Sequence, residues 1–114
     1  MIDRNYEYFE QIITNSTKND DEKDRYDLIC YEFIEQIAKI LTVGAKKYGE
    51  WNWLGLDKAR IISAMQRHFV EFMLKEDNDT ETGCSHLAHV ACNAMMLDYM
   101  IRHKNVTPDE IQQM

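Results

Sequence analysis

His86 and His89 stand three residues apart, with Asn93 one turn further along. On a helix that spacing places both imidazoles on one face, where they could share a divalent cation or a phosphate. Earlier in the chain His68 and Glu71 repeat the same spacing, with Arg67 beside them. Two antiparallel helices would then each offer a pair, which is how helical bundles build metal sites from facing helices. Carboxylates favour Mg²⁺, whereas imidazoles suit Mn²⁺, Zn²⁺ or Fe²⁺ better. The same spacing also fits histidines that merely pack and hydrogen-bond, so both alternatives stand at this level.

The segment between these two pairs carries Glu76, Asp77, Asp79 and Glu81. Glu76 and Asp77 are the preferred extra ligands; the alternative is a solvated acidic turn in which Asp79 or Thr82 helps to cap the next helix. Further upstream Glu32 and Glu35 form an ExxE pair, followed by Lys39 and Lys46. That pair suits a metal or, equally, an exposed helix face with Glu-to-Lys pairs. Lys46, Lys47, Arg60 and Arg67 are the cations nearest a loop that contains Trp51, Asn52 and Trp53. Charge and forked donors would hold phosphates, while Tyr48 and the tryptophans offer faces for a stacked base. The alternative for the tryptophans is to plug the open end of a bundle.

These side chains require helices to position them. Apolar positions Ile34, Ile37, Leu41 and Ala45 recur at helical spacing and predict a first long helix from about Tyr31 to Tyr48, stopped by Gly49. A second is predicted from an N-cap at Asp57 to about Glu76, with Ile61, Ala64, Met65, Phe72 and Met73 as its apolar stripe. After the polar turn 77–83, Cys84 or Ser85 opens a third helix that reaches His103. A short amphipathic helix is expected over residues 2–14, a charged flexible loop over 15–27, and a C-terminal tail with a short helix over 104–114. No strand pattern, repeat or low-complexity tract interrupts this, so the expected architecture is an all-α helical bundle in one domain, 1–114.

At 114 residues the chain suffices for a single core without disulfides. Three cysteines, Cys30, Cys84 and Cys92, lack zinc-ribbon spacing and predict reduced thiols in a cytoplasm. No apolar run approaches a membrane span and the first ten residues lack a signal-peptide core, so no membrane partner and no export are expected. The net charge of −7 argues against a nucleic-acid polymer, which is gripped by clustered Lys and Arg. A small anion bound with its own divalent metal remains compatible, because the metal supplies the positive charge.

The segments GAKKYGEWNW and AMQRHFVEFMLKEDNDTETGCSHLAHVACNAMML resemble the phage and bacterial dATP/dGTP diphosphohydrolase-like family over about residues 24–100. In that family a segment like RYDLIxxExxE precedes GAxKYGxxNW, and an RH…ED…HLxHxxxN segment follows, as Arg25 to Glu35 and Arg67 to Asn93 do here. The family is similar in turn to the MazG-like all-α nucleoside triphosphate pyrophosphohydrolases, whose helix-borne acidic pairs hold Mg²⁺ against a triphosphate. Glu32 and Glu35 match the first such pair, while HxxE and HxxH stand where a second acidic pair is usual. No His-Asp dyad is present, since His68 precedes Phe69 and His89 precedes Val90, which sets aside the phosphohydrolases that depend on one.

The resemblance implies Mg²⁺- or Mn²⁺-dependent hydrolysis of a purine deoxynucleoside triphosphate to monophosphate and pyrophosphate. His68, Glu71, His86 and His89 would bind metal or activate water, with Glu71 and His86 catalytic and Glu32, Glu35, Glu76 and Asp77 as further ligands. Lys46, Lys47, Tyr48, Asn52, Trp53, Arg60, Arg67 and Asn93 would hold the nucleotide. A rival of another class is a non-catalytic phage protein that sequesters a nucleotide in the same pocket. The wider relatives imply a homo-oligomer, dimer or tetramer, for which Met73, Met95, Met96 and Met100 are candidate interface residues, with core packing the more frequent role for methionine at helical spacing.

Overall fold

Helix boundaries follow the local signals closely. In the computed structural model, which describes residues 22–75 and 77–104, α1 spans Tyr31–Tyr48, α2 Lys58–Lys75 and α3 His86–Arg102. Gly49 ends α1 as expected: it adopts φ +101°, and its N–H returns to the Ala45 carbonyl at 2.8 Å. A left-handed residue of this kind satisfies a terminal carbonyl at little cost for glycine. Ser85 opens α3 as N-cap, its side chain accepting from Ala88 N–H at 3.0 Å. The cap therefore comes from Ser85, and not from Asp79 or Thr82.

The described chain divides into two units between Glu35 and Gln36. In the first, a 3-10 turn at Tyr26–Leu28 precedes α1. Arg25 and Asp27 pair there at 2.8 Å, and the Tyr31 hydroxyl donates to the Tyr26 carbonyl at 3.0 Å. The expected helix over 2–14, the first part of the 15–27 loop, Glu76 and the tail from residue 105 lie outside the described residues.

In the second unit α2 and α3 make the most extensive helix pairing. They run antiparallel: Trp53, before α2, meets Tyr99 near the end of α3, while His68 meets His86 at the start of α3. Ala88 and Cys92, one turn apart on α3, are fully buried. Burial pushes the Cys92 thiol up to about 11, so it behaves as a small apolar group. Cys84 is also buried and free, as reduced-thiol packing requires.

Among the described residues the core is small, and α2 leaves Ile62, Phe69, Val70, Met73 and Leu74 exposed. Of the candidate interface methionines, Met73 and Met95 are exposed and Met96 and Met100 half-buried. No helix among the described residues is long and apolar enough to cross a membrane. Apart from one isolated bridge between Asn78 and Ser85, the described residues are helix, turn and loop.

Candidate functional site

The hairpin of α2 and α3 brings the predicted histidines together. His68 Nδ1 lies 2.9 Å from His86 Nδ1, and the His68 ring stacks on that of His89 with centroids 4.1 Å apart and planes 12° from parallel. Around these rings two groups of ligand-type side chains form. His68, Asp79 and His89 make one, and Glu71, Asp77 and His86 the other, with candidate ligand atoms in each within 4.8 Å of one another. That separation approaches the roughly 4 Å between opposed donors on one small divalent ion. Of the two acidic residues favoured from sequence, Asp77 joins the second group and Glu76 lies outside the described residues.

Asp79 is the residue that sequence reasoning passed over in favour of Glu76 and Asp77. Its Oδ2 accepts from the N–H of Glu81 at 3.1 Å, from the N–H of Thr82 at 2.9 Å and from the Thr82 hydroxyl at 3.1 Å. The turn thus folds back on its own aspartate, a habit of Asp followed two and three residues later by free N–H groups. An Asp-x-x-Thr segment beside a glycine was the available signal. Gly83 completes the turn at φ +73°, with its N–H on the Asp79 carbonyl at 2.8 Å.

Electrostatics keep this group ready for a cation. Burial, reinforced by the neighbouring His89, lowers His68 to about 4, against the pull of Asp79. Burial likewise lowers His89, with Asp79 opposing. Both are therefore neutral near pH 7, the form that binds metal. Burial alone would raise Asp79, yet its hydrogen bonds from Thr82, together with the charges that His89 and His68 take up in the acid range where the carboxylate titrates, hold it below the usual carboxylate range. Mixed imidazole and carboxylate donors, neutral and anionic respectively, fit a divalent cation such as Mn²⁺.

His86 is buried at 6% exposure and held on both ring nitrogens, by His68 and by Asp77 Oδ1 at 3.1 Å. An imidazole fixed in this way presents one defined orientation. Glu71 sits at the edge of its group, paired with Lys75 at 3.2 Å.

His89 also lines a cavity of about 590 Å³, a size typical of small-molecule sites. Asn93 lies one turn further along the same wall, and Arg60, Tyr48 and Asn52 line other sides. Trp51, Trp53 and Tyr99 form a cluster of three rings with centroids 5.6 to 5.9 Å apart that closes one part of it. Trp51 holds φ +61°, a left-handed conformation rare for a bulky residue and costing on the order of 1–3 kcal/mol. The tryptophans therefore wall a cavity.

Lys47 pairs with Glu81 across the turn at 3.0 Å, and Glu81 raises its pKa. Lys46, its neighbour, lines a separate depression with Leu41, Thr42 and Glu50. Arg67 is exposed on α2 beside His68. Glu32 and Glu35 lie in the first unit, exposed on the opening turns of α1.

The sequence pattern of one family, described as dATP/dGTP diphosphohydrolase, N-terminal, matches residues 14–109. A curated relative, the dATP/dGTP diphosphohydrolase of Salmonella phage PMBT28, is 36% identical over 92 residues, which cover 81% of this chain and 32% of that protein. The chain thus spans about a third of the length of this relative. No solved structure matches.

Proposed function

This chain belongs to the dATP/dGTP diphosphohydrolase N-terminal family, and from that premise we propose that it hydrolyses dATP or dGTP to the monophosphate and pyrophosphate. The observation that carries this reading is the position of His89, which belongs both to a metal-type group and to the wall of an aromatic cavity. A triphosphate and its base need those two environments side by side.

The residues divide the work by chemistry. His68, Asp79 and His89, with Glu71, Asp77 and His86 alongside, would hold the cation, either Mg²⁺ or Mn²⁺. Bound there, it supplies charge neutralisation for the triphosphate. Glu71 and His86 serve the hydrolytic water, Glu71 as the group that takes its proton. Lys47 exchanges Glu81 for a phosphate oxygen, and Arg60 and the N-terminus of α3 add favourable field. The purine stacks against the Trp51, Trp53 and Tyr99 cluster, with Asn52 and Asn93 as polar contacts and Tyr48 closing the side. The exposed apolar face of α2, with Phe69, Val70, Met73 and Leu74, suits assembly as a homo-oligomer.

Product analysis tests this directly. Purified protein is incubated with each dNTP and NTP and either Mg²⁺ or Mn²⁺, with His86→Ala as control. Metal-dependent release of pyrophosphate from dATP and dGTP, absent in the control, is expected. Tight nucleotide binding without turnover would replace hydrolysis by sequestration.

A further inference from the structure

Thr82 is only 6% exposed, yet its hydroxyl meets three polar partners. Oγ1 lies 3.2 Å from the Cys84 N–H, 3.1 Å from Asp79 Oδ2 and 2.8 Å from His89 Nε2. A hydroxyl has one proton to give and two lone pairs with which to accept. Cys84 N–H is a donor, so it takes one lone pair. The Asp79 carboxylate accepts, so it must receive the single Thr82 proton; otherwise two oxygen lone pairs would face each other at 3.1 Å. His89 Nε2 must then carry a proton and donate to the remaining lone pair. The same nitrogen also lies 3.5 Å from Asp79 Oδ2, which agrees with a proton on Nε2, so the lone pair of neutral His89 is left on Nδ1.

We propose that Thr82 is a positioning residue for the metal-type centre: its hydroxyl ties the His89 ring to the Asp79 carboxylate and selects the Nε2–H form of His89. The proposal rests on the cation-binding reading of that centre. Ligating histidines are oriented in this way by a partner on the other ring nitrogen, and losing such a partner costs about 10–100-fold in metal affinity or activity. Thr82 thereby couples the turn that supplies Asp79 to the helix that supplies His89. The parallel stacking of His68 on His89 carries that restraint to the third member of the group.

The test compares wild type, Thr82→Val and Thr82→Ser as full chains, measuring Mn²⁺ affinity by the electron-spin signal of the free ion, with helical content as a folding control. Valine keeps the shape and removes the hydroxyl; serine restores the hydroxyl. Thr82→Val is expected to bind Mn²⁺ about 10–100-fold more weakly, and Thr82→Ser close to wild type. Wild-type affinity in folded Thr82→Val, or equal loss in both variants, would overturn the role of Thr82. Ring-nitrogen NMR of His89 in wild type, without added metal, gives an answer even if the valine variant does not fold: the Nδ1–H tautomer would overturn the assignment. Absence of Mn²⁺ binding in wild type would instead fail the cation reading itself, and the proposal with it.

Discussion

Two groups of ligand-type side chains share one helical hairpin, and they are held very differently. In the group of His68, Asp79 and His89 every member is half-buried, and Asp79 is bound by the backbone and hydroxyl of its own turn. In the group of Glu71, Asp77 and His86 the histidine is buried, but the Asp77 side chain is 54% exposed and Glu71 is shared with an exposed lysine. Donors of the same two kinds, imidazole and carboxylate, are therefore preorganised on one side and adjustable on the other. Preorganised donors give affinity because little ordering remains to be done on binding, whereas exposed carboxylates are hydrated and screened. Under the proposed function, the first group would hold the cation most firmly, and the second, beside it, would serve a reacting water that must move.

The sharpest way to break this contrast is to remove one member from each side. His89→Ala or His68→Ala is expected to weaken Mn²⁺ binding by more than about 100-fold, beyond the loss typical of a supporting residue. Glu71→Gln should cost at most about 10-fold in affinity while lowering turnover by roughly 100-fold or more, as loss of a proton acceptor does. Calorimetric titration and steady-state rates on the same preparations check both, and equal affinity losses on the two sides would erase the distinction.

Acid offers a second lever on the buried side. His68 is lowered from its ordinary value near 6.5 to about 4 in the fold. Between those values the unfolded chain takes up a proton that the folded chain refuses, so stability falls as pH drops. Above about 6.5 this contribution is complete, and below about 4 its loss levels off. The thermal midpoint is expected to decline across that window and to decline less in His68→Gln; parallel profiles would mean that His68 is not kept neutral by burial.

A smaller effect belongs to the turn. Gly83 at φ +73° has only the tip of Lys39 within 4 Å of an added Cβ, at 3.7 Å, so space is available and conformation is the cost. Gly83→Ala should lower folding stability by about 1–2 kcal/mol in chemical denaturation. Because Gly83 adjoins Thr82, the same variant should also loosen Mn²⁺ binding on the Asp79 side; an unchanged affinity would show that the turn tolerates the strain without moving its aspartate.

Much of this was legible in the sequence because it is local. The extent of α1, the stop at Gly49 and the start of α3 at Ser85 depend on periodicity and capping within a few residues, and the structure follows them. The i, i+3 histidine and glutamate pairs were legible for the same reason, since helical geometry alone aligns them. Asp79 was not, because its value as a ligand depends on a turn that folds back through Thr82, and neighbouring acidic residues look alike in sequence. Lys46 and Lys47 make the same point: adjacent residues on a helix point about 100° apart, and only packing shows that Lys47 meets Glu81 while Lys46 lines another depression.

By itself, then, the sequence determined the helices, their order and the residue types they carry, because hydrophobic period, caps and breakers act over short range. The pairing of α2 with α3 decided everything that depends on distance: the contact of His68 with both His86 and His89, the separation of six ligand-type side chains into two groups, and the closing of three aromatic rings around a cavity beside His89. Those outcomes depend on how one helix docks on another, through buried residues as small as Ala88 and Cys92, and no local pattern encodes that registration.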